Sequence, residues 1–319
     1  MTPHFYPLPP RKTLHLRHLE ALNNRCTTLS TTLEEKLGRE LAGYLGEASL
    51  PYYLEISSIS THYDLYGLRL NLNGNKFQMD GLYLFEGFFL ITEVKNFKNK
   101  ILLNEANQLI QLQEEGSEEV FDNPLTQVEL QKEQLIQLLD KHGYPTIPIE
   151  TLVVFTHKKV HLTFNHPDLI TSQQLPARLK RITQKYPTKL LQRNELYHLG
   201  RKLISLHEER GSAFINPNDK IFPKIKRGVF CNRCKPIIMR RIYGSWECPK
   251  CKKRNSLAHL VAFEDFYYLF GHTITNRQAR WFLCMDSVYT TSRLLQSLGM
   301  KRSGITKNAR YDLSSLFKR

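Results

Sequence analysis

Asp80, Glu93 and Lys95 are the residues of this chain best placed to do chemistry together. They lie in Gln78-Met-Asp-Gly-Leu-Tyr-Leu-Phe-Glu-Gly-Phe-Phe-Leu-Ile-Thr-Glu-Val-Lys-Asn96, where Phe85 and Phe88 flank Glu86-Gly87. That is the pattern of a two-residue hairpin turn with Gly second. The turn pairs residues whose numbers sum to 173, which sets Asp80 opposite Glu93 and puts Lys95 on the same face. Facing carboxylates with Cβ atoms roughly 4.5–5.5 Å apart destabilise a sheet. A divalent cation removes that conflict. A hard ion such as Mg²⁺ (or Mn²⁺), satisfied by one or two carboxylates plus waters and phosphate oxygens, fits best. An ion held there can polarise a phosphate and acidify an attacking water, and the lysine can orient that water or meet developing charge. Glu-x-Lys also occurs on solvated strands as an incidental ion pair. Against that reading, Phe88-Phe-Leu-Ile-Thr-Glu-Val-Lys95 is a nearly continuous apolar run. It reads as a buried central strand, where charges are costly unless they have a task.

Two helices flank this hairpin in the sequence. Thr31 or Thr32 caps the first, with Glu34 and Glu35 at capping-box spacing. Leu33, Leu37, Leu41 and Tyr44 form its apolar stripe, and Glu40 lies at the edge of that stripe, as an ordinary surface glutamate also would. Asn123-Pro124 starts the second helix as an N-cap followed by proline at the first helical position. Leu125, Val128, Leu135 and Leu139 form its buried face, and Gln127 stands beside it. The apolar Thr151-Leu-Val-Val-Phe155 follows as a further strand.

In this order the segments resemble the nuclease-related domain, NERD, a branch of the restriction-endonuclease-like PD-(D/E)xK nucleases. Lys36-Leu-Gly-Arg-Glu-Leu41 resembles the family's Gly-x-Glu on its opening helix. Asp80 and Glu93-Val-Lys95-Asn96 resemble its two active strands, and Asn123-Pro-Leu-Thr-Gln127 its Asn-Pro-x-x-Gln helix start. The resemblance implies an α/β restriction-endonuclease-like core, a mixed sheet flanked by helices, over residues 30–165. It also implies catalytic roles for Asp80, Glu93 and Lys95, supported by Glu40 and Gln127. Where the family often has Gly soon after Glu-x-Lys, this chain has Asn96-Phe-Lys-Asn-Lys100, so the next loop is expected to differ.

A second metal pattern lies downstream. Cys231-x-x-Cys234 and Cys248-x-x-Cys251 are 13 residues apart. Each pair makes a tight knuckle, and the alternating insert supplies two short strands that bring four thiolates around Zn²⁺. The segment resembles a zinc ribbon, with a structural role because four thiolates leave no open position. Redox or disulfide pairs are the competing reading. Cys26 and Cys284 stand apart as single thiols.

The last residues read as helix, turn, helix and hairpin. Thr275–Leu283 is a short helix, Ser287 caps a second helix over 288–298, and Gly299 stops it. The second helix carries Val288, Leu294, Leu295 and Leu298 as its apolar set, and two strands surround a basic turn in 300–313. This layout resembles a winged helix-turn-helix. On that resemblance Arg277, Arg280, Thr290, Thr291, Ser292, Arg293 and Gln296 address DNA, and Lys301, Arg302, Lys307 and Arg310 sit on the wing beside phosphates. A packing or dimerisation module of the same shape is the alternative.

Charge agrees with a polyanionic partner. The chain of 319 residues carries +15, and the division is uneven. Residues 1–169 hold 15 basic and 21 acidic side chains, and residues 170–319 hold 30 and 9. Such asymmetry points to a half that holds metal and a half that grips DNA, duplex or branched. Nothing in the sequence is apolar and long enough to span a membrane, and the N-terminus lacks a signal-peptide core, so a cytoplasmic address is expected. Expected boundaries are an extension over 1–29, the nuclease domain over 30–165 and a helical connector and linker over 166–227. The ribbon is expected over 228–256 and the winged helix over 257–319. The connector shows helical periodicity in 175–186 and 190–209, and turn formers in 211–219. The functional expectation is an Mg²⁺-dependent deoxyribonuclease. Its rivals are a catalytically silent DNA-binding protein on the same fold and an RNA nuclease.

Overall fold

The computed structural model describes residues 8–26, 29–59, 62–114, 116–305 and 309–317. The chain divides into two compact units. One comprises Gly38–Arg210 with the segment up to Lys12, and the other comprises Thr13–Leu37 with Gly211–Arg319.

The first unit is built on a five-stranded sheet. Its strands are β1 (His62–Leu72), β2 (Asn75–Phe85), β3 (Phe89–Lys95), β7 (Ile149–Phe155) and β9 (Leu169–Thr171), in the order β1-β2-β3-β7-β9. β1, β2 and β3 are antiparallel, whereas β3, β7 and β9 run parallel, so the sheet is mixed. The β2–β3 register follows the turn, with Gly81 opposite Thr92 and Leu84 opposite Phe89. Each pair from Gly81–Thr92 to Leu84–Phe89 sums to the expected 173. Gly87 is required there by close approach, because a Cβ would fall 2.6 Å from the Thr188 carbonyl oxygen and 2.8 Å from that of Tyr186.

Both sheet faces are covered. Helix α3 (Pro124–Lys141) supplies Val128, Leu135, Leu138 and Leu139 to one face, and α5 (Arg193–Ser205) adds Leu196, Leu199 and Leu203. Leu50 and Leu54 of α2 (Thr31–Ile56) and Leu175, Leu179 and Ile182 of α4 (Leu175–Lys185) cover the other. Burying each Leu or Phe contributes roughly 1.5–3 kcal/mol. Because α3 packs on one face of the sheet and α4 on the other, the parallel strands are enclosed on two sides and can be apolar throughout. A second sheet orders β6 (Glu118–Phe121), β5 (Leu109–Leu112), β4 (Asn99–Leu103) and β8 (Val160–Leu162). The segment after Lys95 therefore enters β4.

The unit differs from the expectation in two places. α2 is one helix of 26 residues with Pro51 inside it. Its buried residues in this unit are Gly46, Leu50 and Leu54, while Leu41 and Tyr44 are only half-buried. The helices expected as a connector, α4 and α5, belong to the cores of this unit, and the boundary falls at Gly211.

The second unit has its own core. α1 (Leu14–Arg25) packs on α6 (His259–Phe270), and the strands β10 (Arg240–Ile242), β11 (Ser245–Glu247) and β12 (Arg254–Asn255) form a small antiparallel sheet beside the four cysteines. After α6 come β13 (Thr273–Thr275), α7 (Asn276–Leu283), α8 (Val288–Ser297), β14 (Arg302–Ser303), β15 (Arg310–Asp312) and α9 (Ser314–Phe317). The strand order is β13-β15-β14, so one strand precedes the two helices and a hairpin follows them. Local rules set the helix ends. Thr275 and Gln278 form a capping box, Ser287 accepts from the Thr290 N–H, and Gly299 takes a positive φ after α8. Trp246 of the ribbon, Leu19 of α1 and Phe282 of α7 lie in one cluster, so the expected extension, ribbon and C-terminal segment share a core. Buried Arg25 ties them together. Its guanidinium donates to Asp265 at 2.6 Å and to the Gly228 carbonyl at 2.7 Å, and stacks on Phe230 and Phe282.

Among the described residues, no helix is long and apolar enough to cross a membrane.

Candidate active site and metal centre

β2 and β3 deliver the carboxylates. The paired part of the hairpin ends at Gly81 and Thr92, one residue short of Asp80 and Glu93. There Asp80 turns its carboxylate onto the neighbouring backbone and accepts the Val94 N–H at 2.9 Å. Glu93 is buried, 3% exposed, and both of its oxygens are engaged. Oε1 accepts from Lys95 Nζ at 2.8 Å, and Oε2 from Gln131 Nε2 at 3.1 Å. Lys95 Nζ also donates to Gln127 Oε1 at 3.3 Å. One helix, α3, therefore supplies two glutamines at i, i+4 spacing, one on the lysine and one on the glutamate. Gln131 was not among the expected residues. The signal for it was one turn away, since Val128, Gln131 and Leu135 share the buried stripe and a glutamine at such a position needs a polar partner.

α2 brings a third carboxylate that the sequence reading missed. Gly46 sits against the end of β3, where a Cβ would stand 3.1 Å from Val94 Cγ1 and 2.8 Å from Thr156 Oγ1. Asn96 Nδ2 donates to the Ala42 carbonyl at 2.8 Å and holds the helix there. Glu47 is delivered by this contact. Burial and then the charges of Glu93 and Glu40 push its carboxyl up to about 7. Asp80 is raised well above its ordinary value, first by burial, then by Glu93 and Glu47; the Val94 N–H and Lys95 offset this only in part. Glu40, the expected helix glutamate, lies two turns earlier on α2, half-buried, and its charge reaches Glu47. The adjacent Gly46-Glu47, with Leu50 and Leu54 continuing the buried stripe, was the available signal.

Asp80, Glu93 and Glu47 therefore bear on one another electrostatically, in partial burial, and Lys95 pairs directly with Glu93 alone. Such a set protonates or takes a cation. The donors are all hard oxygens, which suits Mg²⁺ or Mn²⁺. Gln131 Oε1 is a buried acceptor without a protein partner, as suits a site completed by water.

The second unit holds the other metal pattern. The Sγ atoms of Cys231, Cys234, Cys248 and Cys251 all lie within 4.8 Å of one another, and Cys231 and Cys251 are 3.8 Å apart. A Zn–S bond of about 2.3 Å implies tetrahedral edges of about 3.8 Å, so the spacing fits Zn²⁺. It is too long for a disulfide, and all four thiols are free. The Lys253 backbone N–H, ahead of the neighbouring thiols, draws the Cys251 thiol down to about 7. Cys251, ahead of burial, pushes Cys234 up to about 12. One negative sulfur among three neighbours opposes the next ionisation, and Zn²⁺ removes that opposition by binding all four as thiolates.

The residues expected to address DNA fare unevenly. Thr290, Arg293 and Gln296 are exposed on α8, and Lys301, Arg302 and Arg310 are exposed beyond it. Arg277 is exposed, whereas half-buried Arg280 donates to Asn276 Oδ1 at 3.1 Å. Ser292 accepts from Asn276 Nδ2 at 2.9 Å. Thr291 is a correction. It is fully buried, and its hydroxyl donates to the Ser287 carbonyl at 2.9 Å, so it reaches no external ligand. Thr291 shares the stripe of Leu294 and Leu295, while Val288, expected to be buried, is 50% exposed. Lys307 lies outside the described residues.

Residues 42–156 match the family model of NERD, the nuclease-related domain. The matched segment begins after Glu40 and takes in Glu47, Asp80, Glu93, Lys95 and Gln127. No curated protein matches the chain.

Proposed function

From a chain whose residues 42–156 match a nuclease-related domain, we propose a metal-dependent deoxyribonuclease that hydrolyses phosphodiester bonds and is held on DNA by its basic second unit. The observation that carries this is the pairing of a glutamate held at both oxygens with an aspartate kept at raised pKa beside it. That charge conflict is expensive without a cation. Asp80, Glu93 and Glu47 would hold the ion, which when bound supplies Lewis-acid polarisation of a phosphate and an acidified water. Gln131 and Gln127 fix Glu93 and Lys95 in position. Lys95 is the more accessible partner, with 20% of its side chain exposed against 4% for Glu93. It would meet the negative charge growing on the phosphate. Glu40 acts at a distance, through the charge it places on Glu47.

The test is direct. Wild-type protein with Mg²⁺ or Mn²⁺ should nick supercoiled plasmid. Asp80→Ala should lose at least a hundredfold in rate, the order expected when an electrostatic contributor to the transition state is removed. Metal-dependent DNA binding without cutting, identical in wild type and Asp80→Ala, would overturn the catalytic assignment.

A further inference from the structure

Between the β10–β11 hairpin and α8 the second unit contains a cleft of about 1050 Å³. Arg240, Arg241 and Tyr243 line it from the hairpin, and Ser287, Thr290 and Arg293 from the helix. An adjoining cleft of about 500 Å³ shares Met285 and Asp286 and adds Arg227 and Arg277. Asp286 is the single acid among these linings. Arg241 stacks 5.1 Å over Trp246, yet its Nη1 is buried without a protein partner. The Arg240 and Arg293 side chains hold no hydrogen bond or ion pair among the described residues. Several guanidinium groups therefore converge on one space with their donors unspent, which is a site for phosphate oxygens.

The hairpin tip adds a different chemistry. Tyr243 and Gly244 form the turn, Gly244 has φ +68°, and the Tyr243 ring stands free at 104% relative exposure. An aromatic face beside arginines is the combination that stacks an unpaired base while the cations follow its backbone. A duplex fits this space poorly. A helix that reads a major groove about 12 Å wide must stand clear on its reading face, whereas the α8 face bearing Thr290, Arg293 and Ser297 looks across the cleft at the hairpin. At about 1050 Å³ the cleft is just above the upper end of the small-molecule range, ~300–1,000 Å³. That admits a few nucleotides of one strand.

We propose that the cleft between the β10–β11 hairpin and α8 is a groove for single-stranded nucleic acid, with Arg240 and Arg293 on phosphates and Tyr243 stacked on an unpaired base. This rests on the nucleic-acid reading above for its substrate class, and it specifies strand form.

The experiment is fluorescence anisotropy of the full chain with a 20-nucleotide oligo-dT and with a blunt 20-base-pair duplex. No Mg²⁺ or Mn²⁺ is added, so binding is read apart from cleavage. Oligo-dT should bind at least 10-fold tighter than the duplex. Tyr243→Ala should weaken oligo-dT about 10-fold and Tyr243→Phe should not, as the usual strength of base–aromatic stacking implies. Arg240→Ala with Arg293→Ala should weaken it and reduce the slope of log K against log salt by about 1.4, two phosphates at about 0.7 each. Both positions are exposed, and zinc content checks that the ribbon is intact. Duplex binding equal to or tighter than oligo-dT would overturn the proposal. So would oligo-dT binding untouched by these variants, or its absence. None of those results bears on plasmid cutting by the Asp80 site.

Discussion

At the residue scale the carboxylate cluster is a problem of protons. Glu47 ionises near 4.5 when unfolded and near 7 when folded. In that window the folded chain keeps a proton that the unfolded chain has lost. Stability from this group is therefore complete below the unfolded value and falls as pH rises toward 7. Each pH unit removes up to about 1.4 kcal/mol per such group, and raised Asp80 adds to the loss in the same direction. A cation bound to the ionised carboxylates opposes it. Calorimetry of metal-free protein should show the melting temperature falling between pH 5 and 7.5, with Mg²⁺ restoring it at pH 7.5. Asp80→Asn should raise the metal-free melting temperature at pH 7.5 and abolish the Mg²⁺ effect. Equal Mg²⁺ stabilisation of wild type and Asp80→Asn would remove Asp80 from the metal site.

At the element scale the question is how α2 places Glu47 against β3. The Gly46 contact is tight, with Val94 and Asn96 each 3.1 Å from an ideal Cβ. Gly43, three residues earlier, has nothing within 4 Å. Gly46→Val should cost about 1–3 kcal/mol as overpacking. Its kcat/KM should fall further than that destabilisation explains, because Glu47 moves with the helix. Gly43→Ala should stabilise by roughly 0.5–1 kcal/mol through helix propensity and leave kcat/KM alone. Melting curves and cleavage kinetics on the two variants separate the roles. Unchanged kcat/KM in folded Gly46→Val would mean that Glu47 does not need this placement.

The same helix shows what the sequence could disclose. The β2–β3 hairpin was legible to the residue because a two-residue turn fixes every pair that follows, and a slip by one would turn each side chain to the other face. α2 was legible as a helix but not in its length or its buried stripe. Pro51 has no N–H to offer the Glu47 carbonyl and reads as a stop, yet the helix continues to Ile56. Leu33 and Leu37 do pack as apolar positions, against the core of the second unit. An apolar stripe is the same pattern whichever core it serves, so Glu40 was chosen where Glu47 does the work of approaching Glu93. Thr291 was misread for a related reason. Its spacing from Leu294 and Leu295 marked it as buried, but a threonine hides that period because its hydroxyl can be satisfied by its own helix.

At the scale of the whole molecule the carboxylate cluster and the four-cysteine cluster fall in separate units, and the tryptophans report on one of them alone. The chain has two, Trp246 and Trp281, and both lie in the unit that holds the cysteines. Trp246 is 1% exposed and pairs its indole N–H with His259 Nδ1 at 3.2 Å, so its emission depends on the ribbon remaining packed on α6. A four-thiolate zinc site in a sheet of short strands supplies much of its folding energy. A zinc chelator, or Cys248→Ser, should therefore shift Trp246 emission to the red and lower the fluorescence-detected melting temperature. Oligonucleotide binding should fall with it. Mg²⁺ at pH 7.5 should leave that fluorescence transition in place while raising the calorimetric transition of the carboxylate unit, and Asp80→Asn should abolish the second effect without moving the fluorescence transition. Chelation that leaves Trp246 emission unchanged would mean that the four thiols hold this ribbon without a metal, and binding by the cleft would then have to be independent of zinc as well.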